Sequence, residues 1–287
     1  MQYHSPGSFE DAVAIAGAAS GTTRFLAGGT DVLVQLRADI VTPDTLIDVK
    51  KIEGVRSITR EADGDWRIGI AVSGAEMSEH PELGADWPGL VEAMDLVGST
   101  QIQGRATLTG NLCNASPAAD SVPAMFAAGV IASVTGPQGT RQVPVTEIPT
   151  GPGKTSLKPG ELISALHVPA RGARGGDAYL RFIPRTEMDI AVVGCAVNLR
   201  LDGDTISEAR VSLGAVAPTA LLVPEAAEAL IGTTLDEAAL EALATAAADA
   251  CKPIDDKRGT VKFRTHVAGV LAKRAARIAY DRARARA

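Results

Sequence analysis

The stretch LAGGTDVLV, residues 26–34, sets two adjacent glycines, Gly28 and Gly29, at the end of a short apolar run and follows them with Thr30 and Asp31. Glycine reaches backbone conformations closed to other residues and lets amide N–H groups approach a ligand, while threonine adds a hydroxyl donor. That chemistry suits a pyrophosphate, although the same four residues are also an ordinary turn signal. A second segment, ATLTGNLCNASPAAD at 106–120, gathers Thr107, Thr109, Gly110, Asn111, Asn114 and Ser116. These are small donors able to serve one polar ligand, with Asp120 as an acceptor for a ribose or adenine group. On its own the segment reads equally well as a polar loop between helices. Neither segment is G-x-G-x-x-G followed by a helix and a distant acidic residue, so a Rossmann unit is not indicated. A P-loop is dismissed as well, because Gly151-Pro152-Gly153-Lys154-Thr155 lacks the upstream glycine and the preceding strand.

Outward from the first segment, Ser8 to Asp11 resembles a capping box, and Phe9, Ala12, Val13, Ala16 and Ala19 recur at helical spacing, which predicts a helix over 8–20. A strand at 24–26, a helix at 32–37 and a strand at 45–49 complete a small α/β layer over 1–54. From Val55 the pattern changes to short β runs at 55–59, 66–72, 130–136, 141–145 and 161–169, with a helix at 89–98, giving an α+β unit over 55–175. A Gly- and Arg-rich connector at 169–176 marks a boundary. Beyond it, over 176–287, two strands meet at an Asp202-Gly203 turn. A helix capped at Thr234 to Glu237 and a long helix from Thr260, basic near its end, follow.

Charge and cysteine usage exclude whole classes of function. Lys and Arg number 28 against 34 Asp and Glu, and no long basic run precedes the C-terminal tail, which argues against a nucleic-acid partner. Cys113, Cys195 and Cys251 form no C-x-x-C pair and have no histidine at ligand spacing, so no metal is expected on this chain. No apolar run approaches the roughly 18 residues of a membrane span. Glu10 and Asp11 interrupt the place where a signal peptide would be apolar, which predicts a cytoplasmic protein.

Taken together, LAGGTDVLV and ATLTGNLCNASPAAD resemble the pair of flavin loops in the FAD-binding subunits and domains of the xanthine dehydrogenase and carbon monoxide dehydrogenase family of molybdenum hydroxylases. The similarity continues in the family's order through LKPGELISALHVP (157–169), RFIPRTEMDIAVVGCAV (181–197), GAVAPT (214–219) and PIDDKRGTVKFRTHVAGVLAKRA (253–275). The resemblance implies an α+β protein: a vanillyl-alcohol-oxidase (PCMH) type FAD domain in two parts, then a C-terminal domain of a three-stranded antiparallel sheet with helices.

The resemblance also implies a site. Leu26, Ala27, Gly28, Gly29, Thr30 and Asp31 would wrap the pyrophosphate of a non-covalently held FAD, with Val32 continuing that wall. Thr107, Thr109, Gly110 and Asn111 would complete the phosphate and ribityl contacts, and Asp120 would bind the adenosine ribose. Leu162 matches an apolar contact near the flavin ring, and Arg181 stands where relatives can carry a lysine. Thr109 occupies a place the family commonly gives to glycine. No residue is implied as an acid, base, nucleophile or metal ligand. Arg258, Arg264 and His266 are read as structural, with a buried arginine paired to Asp255 or Asp256 to hold the terminal helix.

The partners implied are a large subunit with the molybdenum cofactor and a small subunit with 2Fe-2S clusters, assembled as a dimer of heterotrimers. The cysteine-rich insertion of the 4-hydroxybenzoyl-CoA reductase branch is not visible. The alternative is a stand-alone flavin oxidase or dehydrogenase of the same fold acting on a small molecule.

Overall fold

In the computed structural model, which describes residues 1–286, the chain begins with β1 (Gln2–His4), α1 (Phe9–Ala18), β2 (Thr23–Leu26), α2 (Val32–Arg37) and β3 (Thr45–Asp48). The strands are parallel in the order β1-β3-β2. A central parallel strand is covered on both faces, and all four residues of β3 are buried accordingly. Ser8 opens α1 by accepting from the Asp11 amide at 3.0 Å, the role its position predicts.

Next come β4 (Ile58–Arg60) and β5 (Trp66–Gly69), the helices α3 (Gly74–Ser78), α4 (Pro81–Asp86), α5 (Pro88–Asp95), α6 (Thr100–Gln103), α7 (Leu108–Asn114) and α8 (Ser121–Ala128), then β6 (Ile131–Gly136), β7 (Gly139–Pro144), β8 (Pro149–Gly151), β9 (Lys154–Thr155) and β10 (Leu162–Val168). Five of these strands form an antiparallel sheet in the order β4-β5-β10-β6-β7. The strand expected at 55–59 starts only at Ile58, because Gly54 at φ 75° and the Ser57 amide on the Gly54 carbonyl close a turn first. The segment 106–120 is not an extended loop. Thr107 caps α7 by accepting from the Gly110 amide, and Leu108 and Leu112, four residues apart, are buried on one face.

The last unit holds β11 (Gly175–Phe182), β12 (Val193–Asp202), β13 (Thr205–Gly214), β14 (Leu221–Leu222), α9 (Pro224–Glu228), α10 (Glu237–Asp249) and α11 (Val261–Ala285). The sheet expected to have three strands has a fourth, the two-residue β14, in the order β11-β12-β13-β14. Asp236, not Thr234, caps α10 by accepting from the Ala239 amide at 2.9 Å. The Asp202-Gly203 turn forms as expected, with Gly203 at φ 58°.

Side-chain alternation along β11 and β12 joins this unit to the preceding one. Tyr179 and Ala196 face the core built around Trp66, Met94 and Met125. Ala178, Cys195 and Val197 face a second core under α11. The contact face of α11 is alanine-rich, including Ala268, Ala272, Ala275, Ala276, Ala279 and Ala283, all buried. That composition permits close approach: a Cβ on Gly176 of β11 would lie 2.1 Å from the Ala279 carbonyl oxygen. Arg264 is buried and donates to the Val192 carbonyl (2.8 Å) and to Asp256 (2.7 Å), tying the start of α11 to the sheet, whereas His266 is exposed. Among the described residues, no helix is long and apolar enough to cross a membrane, and no cluster of His, Cys, Asp and Glu could hold a metal ion.

Candidate functional site

A cleft of about 910 Å³ opens between the two segments singled out by the sequence, near the upper end of the roughly 300–1,000 Å³ usual for small-molecule sites. Its first wall begins where β2 ends at the buried Leu26. The chain then turns through Ala27, Gly28, Gly29, Thr30 and Asp31, all of which line the cleft, as does Val32 at the start of α2. Gly29 sits at φ 85°, a left-handed conformation that favours glycine. Gly28 is required by packing: a Cβ there would fall 2.0 Å from the Arg105 carbonyl oxygen. The glycine pair is therefore demanded by the loop itself and by its contact with the chain ahead of the second segment. Lys50, which the sequence did not reveal, donates to the Ala27 carbonyl at 3.2 Å and pairs with Asp48 at 2.8 Å, pinning the loop to the end of β3.

The second wall is α7 and the turn into α8. Thr107, Thr109, Gly110 and Asn111 all line the cleft. Thr107 Oγ1 accepts from the Gly110 amide at 2.9 Å, fixing the first turn. Thr109 Oγ1 is buried with no hydrogen-bond partner in the protein. Buried hydroxyls are rarely left so, and the residue that carries this one lines the cleft. Among the described residues, one direct polar link joins the walls: Gln35 Nε2 of α2 donates to Asn114 Oδ1 of α7 at 3.1 Å.

Leu162 lines the cleft, and with it stand apolar lining residues that the sequence reading missed, Val49, Ile70, Val97, Ala106, Leu157 and Ile163. In sequence these residues look like ordinary core positions. Three expected contacts are not on the cleft surface. Leu26 lies behind the loop, its Cδ1 2.8 Å from where a Gly29 Cβ would be. Asp120 and Arg181 are spent on each other at 2.8 Å, with Tyr179 Oη donating to the other Asp120 oxygen at 3.3 Å and Arg181 also donating to the Leu96 carbonyl. Val97, next to Leu96, is the residue of this neighbourhood that lines the cleft. Burial pushes the Asp120 carboxyl up to about 6, against the opposing pull of the Arg181 charge. Asp31, at the cleft mouth, has no side-chain capping bond, and desolvation by its surroundings raises its carboxyl above the ordinary value.

Residues 1–171 match the family described as the FAD binding domain in molybdopterin dehydrogenase, and residues 178–279 match the CO dehydrogenase flavoprotein C-terminal domain. The chain is 33% identical to the carbon monoxide dehydrogenase medium chain of Hydrogenophaga pseudoflava, over 98% of each chain. It is 32% identical to the xanthine dehydrogenase FAD-binding subunit of Escherichia coli O157:H7, over 95% of this chain and 93% of the relative. A solved structure of the carbon monoxide dehydrogenase from Hydrogenophaga pseudoflava superimposes with a TM-score of 0.94 at 34% identity, over 98% of both chains.

Proposed function

The chain belongs to the FAD-binding subunits of the xanthine dehydrogenase and carbon monoxide dehydrogenase family of molybdenum hydroxylases, and we propose that the cleft holds FAD non-covalently, its pyrophosphate on the glycine loop and α7 and its ring at the Val97 and Leu162 end. The single observation that carries this placement is the match of donor set to cofactor. A glycine loop, Thr109 with its unpartnered buried hydroxyl and a set of apolar side chains line one cleft, as a ligand with an anionic middle and a flat apolar ring requires.

FAD accepts electrons from one-electron carriers and passes them on to a second acceptor. What this chain's residues do is hold and orient the cofactor: the loop excludes bulk from its phosphates, and the apolar end excludes water from its ring. Asp120 and Arg181 act at one remove, stiffening the wall behind Val97. In the assembly proposed, a small subunit with 2Fe-2S clusters delivers the electrons and a large subunit with the molybdenum cofactor oxidises the substrate. The complex is a cytoplasmic dimer of heterotrimers, and 1–54, 55–175 and 176–287 are the three structural domains of this chain.

The test is to purify the tagged chain from its host and record the visible spectrum with the co-purifying polypeptides. Flavin absorbance together with iron-sulfur features, one large partner and one small one is the expected result. A yellow protein that stays alone and turns over a small molecule would instead establish the stand-alone flavoenzyme.

A further inference from the structure

Within the second wall, two donors of one buried residue converge on a single atom. Ser121, with no exposed surface, donates from its backbone N–H (3.1 Å) and from its hydroxyl (2.7 Å) to Asn111 Oδ1. A backbone amide can only donate, so oxygen is the Asn111 atom that faces Ser121 and the amide nitrogen is the atom turned away. Asn111 lines the cleft, and among the described residues no protein group accepts from its Nδ2.

The support beneath Ser121 is firm. It opens α8, whose eight residues are all buried. The far end of α8 is held from the last sheet, where Arg210 donates to the Phe126 carbonyl at 2.9 and 3.2 Å and Asn198 to the Ala127 carbonyl at 3.2 Å. Immediately before Ser121, Asp120 is locked by Arg181 and Tyr179.

We propose that Ser121 is a positioning residue of the cofactor site, one that never touches FAD but holds the Asn111 amide with its N–H donors toward the anionic middle of the cofactor. This rests on the FAD reading above. Without the Ser121 hydroxyl, the amide loses one of the two bonds that fix its orientation, and the turned amide presents an oxygen to phosphate oxygens.

The test is a double-mutant cycle on FAD affinity, measured by flavin fluorescence on the full-length chain purified with its accompanying subunits and stripped of flavin. Ser121→Ala is expected to weaken FAD by about tenfold, and by less than about twofold when Asn111→Ala is already present. Equal losses in both backgrounds, or no loss in the wild-type background, overturn the proposal. Should Ser121→Ala fail to fold, Asn111→Asp reads the same orientation from the other side. It is expected to weaken FAD about tenfold more than Asn111→Ala, because the outward atom becomes an oxygen; equal losses overturn the proposal. A wild-type protein that binds no FAD overturns the functional reading together with this one, so the two failures are distinguishable.

Discussion

The two walls of the cleft differ in how they are held. In the first, α2 contributes no buried residue, and Leu33 and Val34 are 48% and 62% exposed, so the glycine loop rests on Lys50, on the Gly28 contact and on the Gln35–Asn114 bond. In the second, α7 buries Leu108 and Leu112, and α8 is buried along its whole length and gripped at both ends by residues of the last sheet. Local stability follows burial and contact density. The second wall is therefore a fixed template, and the first is the part able to adjust around a ligand.

The largest effect is expected from forcing the walls apart. Gly28→Val drives a side chain into the Arg105 carbonyl and should weaken FAD binding by about 100-fold or more while lowering stability by about 1–3 kcal/mol, read by fluorescence titration and thermal melting. Normal affinity in that variant would mean that the first wall yields far more than its contact with Arg105 suggests. Thr109→Val, on the rigid wall, separates ligand binding from folding. Removing an unsatisfied buried hydroxyl should leave the melting temperature of the FAD-free protein unchanged or higher, yet cost about tenfold in FAD affinity; a lower melting temperature would show that the hydroxyl serves the fold instead.

Gln35→Ala cuts the one direct polar link between the walls found among the described residues and should cost only about threefold in affinity. Its sharper signature is faster amide hydrogen exchange confined to 27–37, with 107–128 unchanged; equal acceleration in both segments would erase the distinction between the walls. The smallest effect concerns the Asp120 and Arg181 pair. The Asp120 carboxyl is raised from 3.8 to about 6 by burial, so the folded state binds a proton that the unfolded state has already lost. Its contribution to stability is fully present below 3.8 and is lost as pH rises through about 6. Asp120→Asn should flatten the melting-temperature profile across that window, and an unchanged slope would remove Asp120 as its source.

Much of this was legible in the sequence. The glycine pair, Thr107, Asn111, the Ser8 cap and the Asp202-Gly203 hairpin announce themselves through local chemistry, whereas for the buried arginine of the last block the sequence left Asp255 and Asp256 both open and the structure pairs Arg264 with Asp256. Other features depend on tertiary contacts that no local pattern encodes. Asp120 and Arg181 are polar residues next to the right segments; their mutual pairing across 61 positions, and the fact that neither lines the cleft, are features of the tertiary structure. Segment 106–120, dense in small polar residues, reads equally well as a polar loop, and burial of Leu108 and Leu112 accompanies a helix over Leu108–Asn114. The apolar residues that line the cleft are indistinguishable in sequence from core, because they also pack in the core.

Whether FAD lies non-covalently between the two walls is tested by acid-precipitating the purified protein and identifying the released flavin, for wild type and for Gly28→Val. The predicted result is stoichiometric FAD in the wild-type supernatant and almost none from the variant, with both proteins eluting alongside the same partner subunits. Flavin retained at wild-type level by Gly28→Val, or flavin that stays bound in the precipitate, would contradict non-covalent binding between the walls.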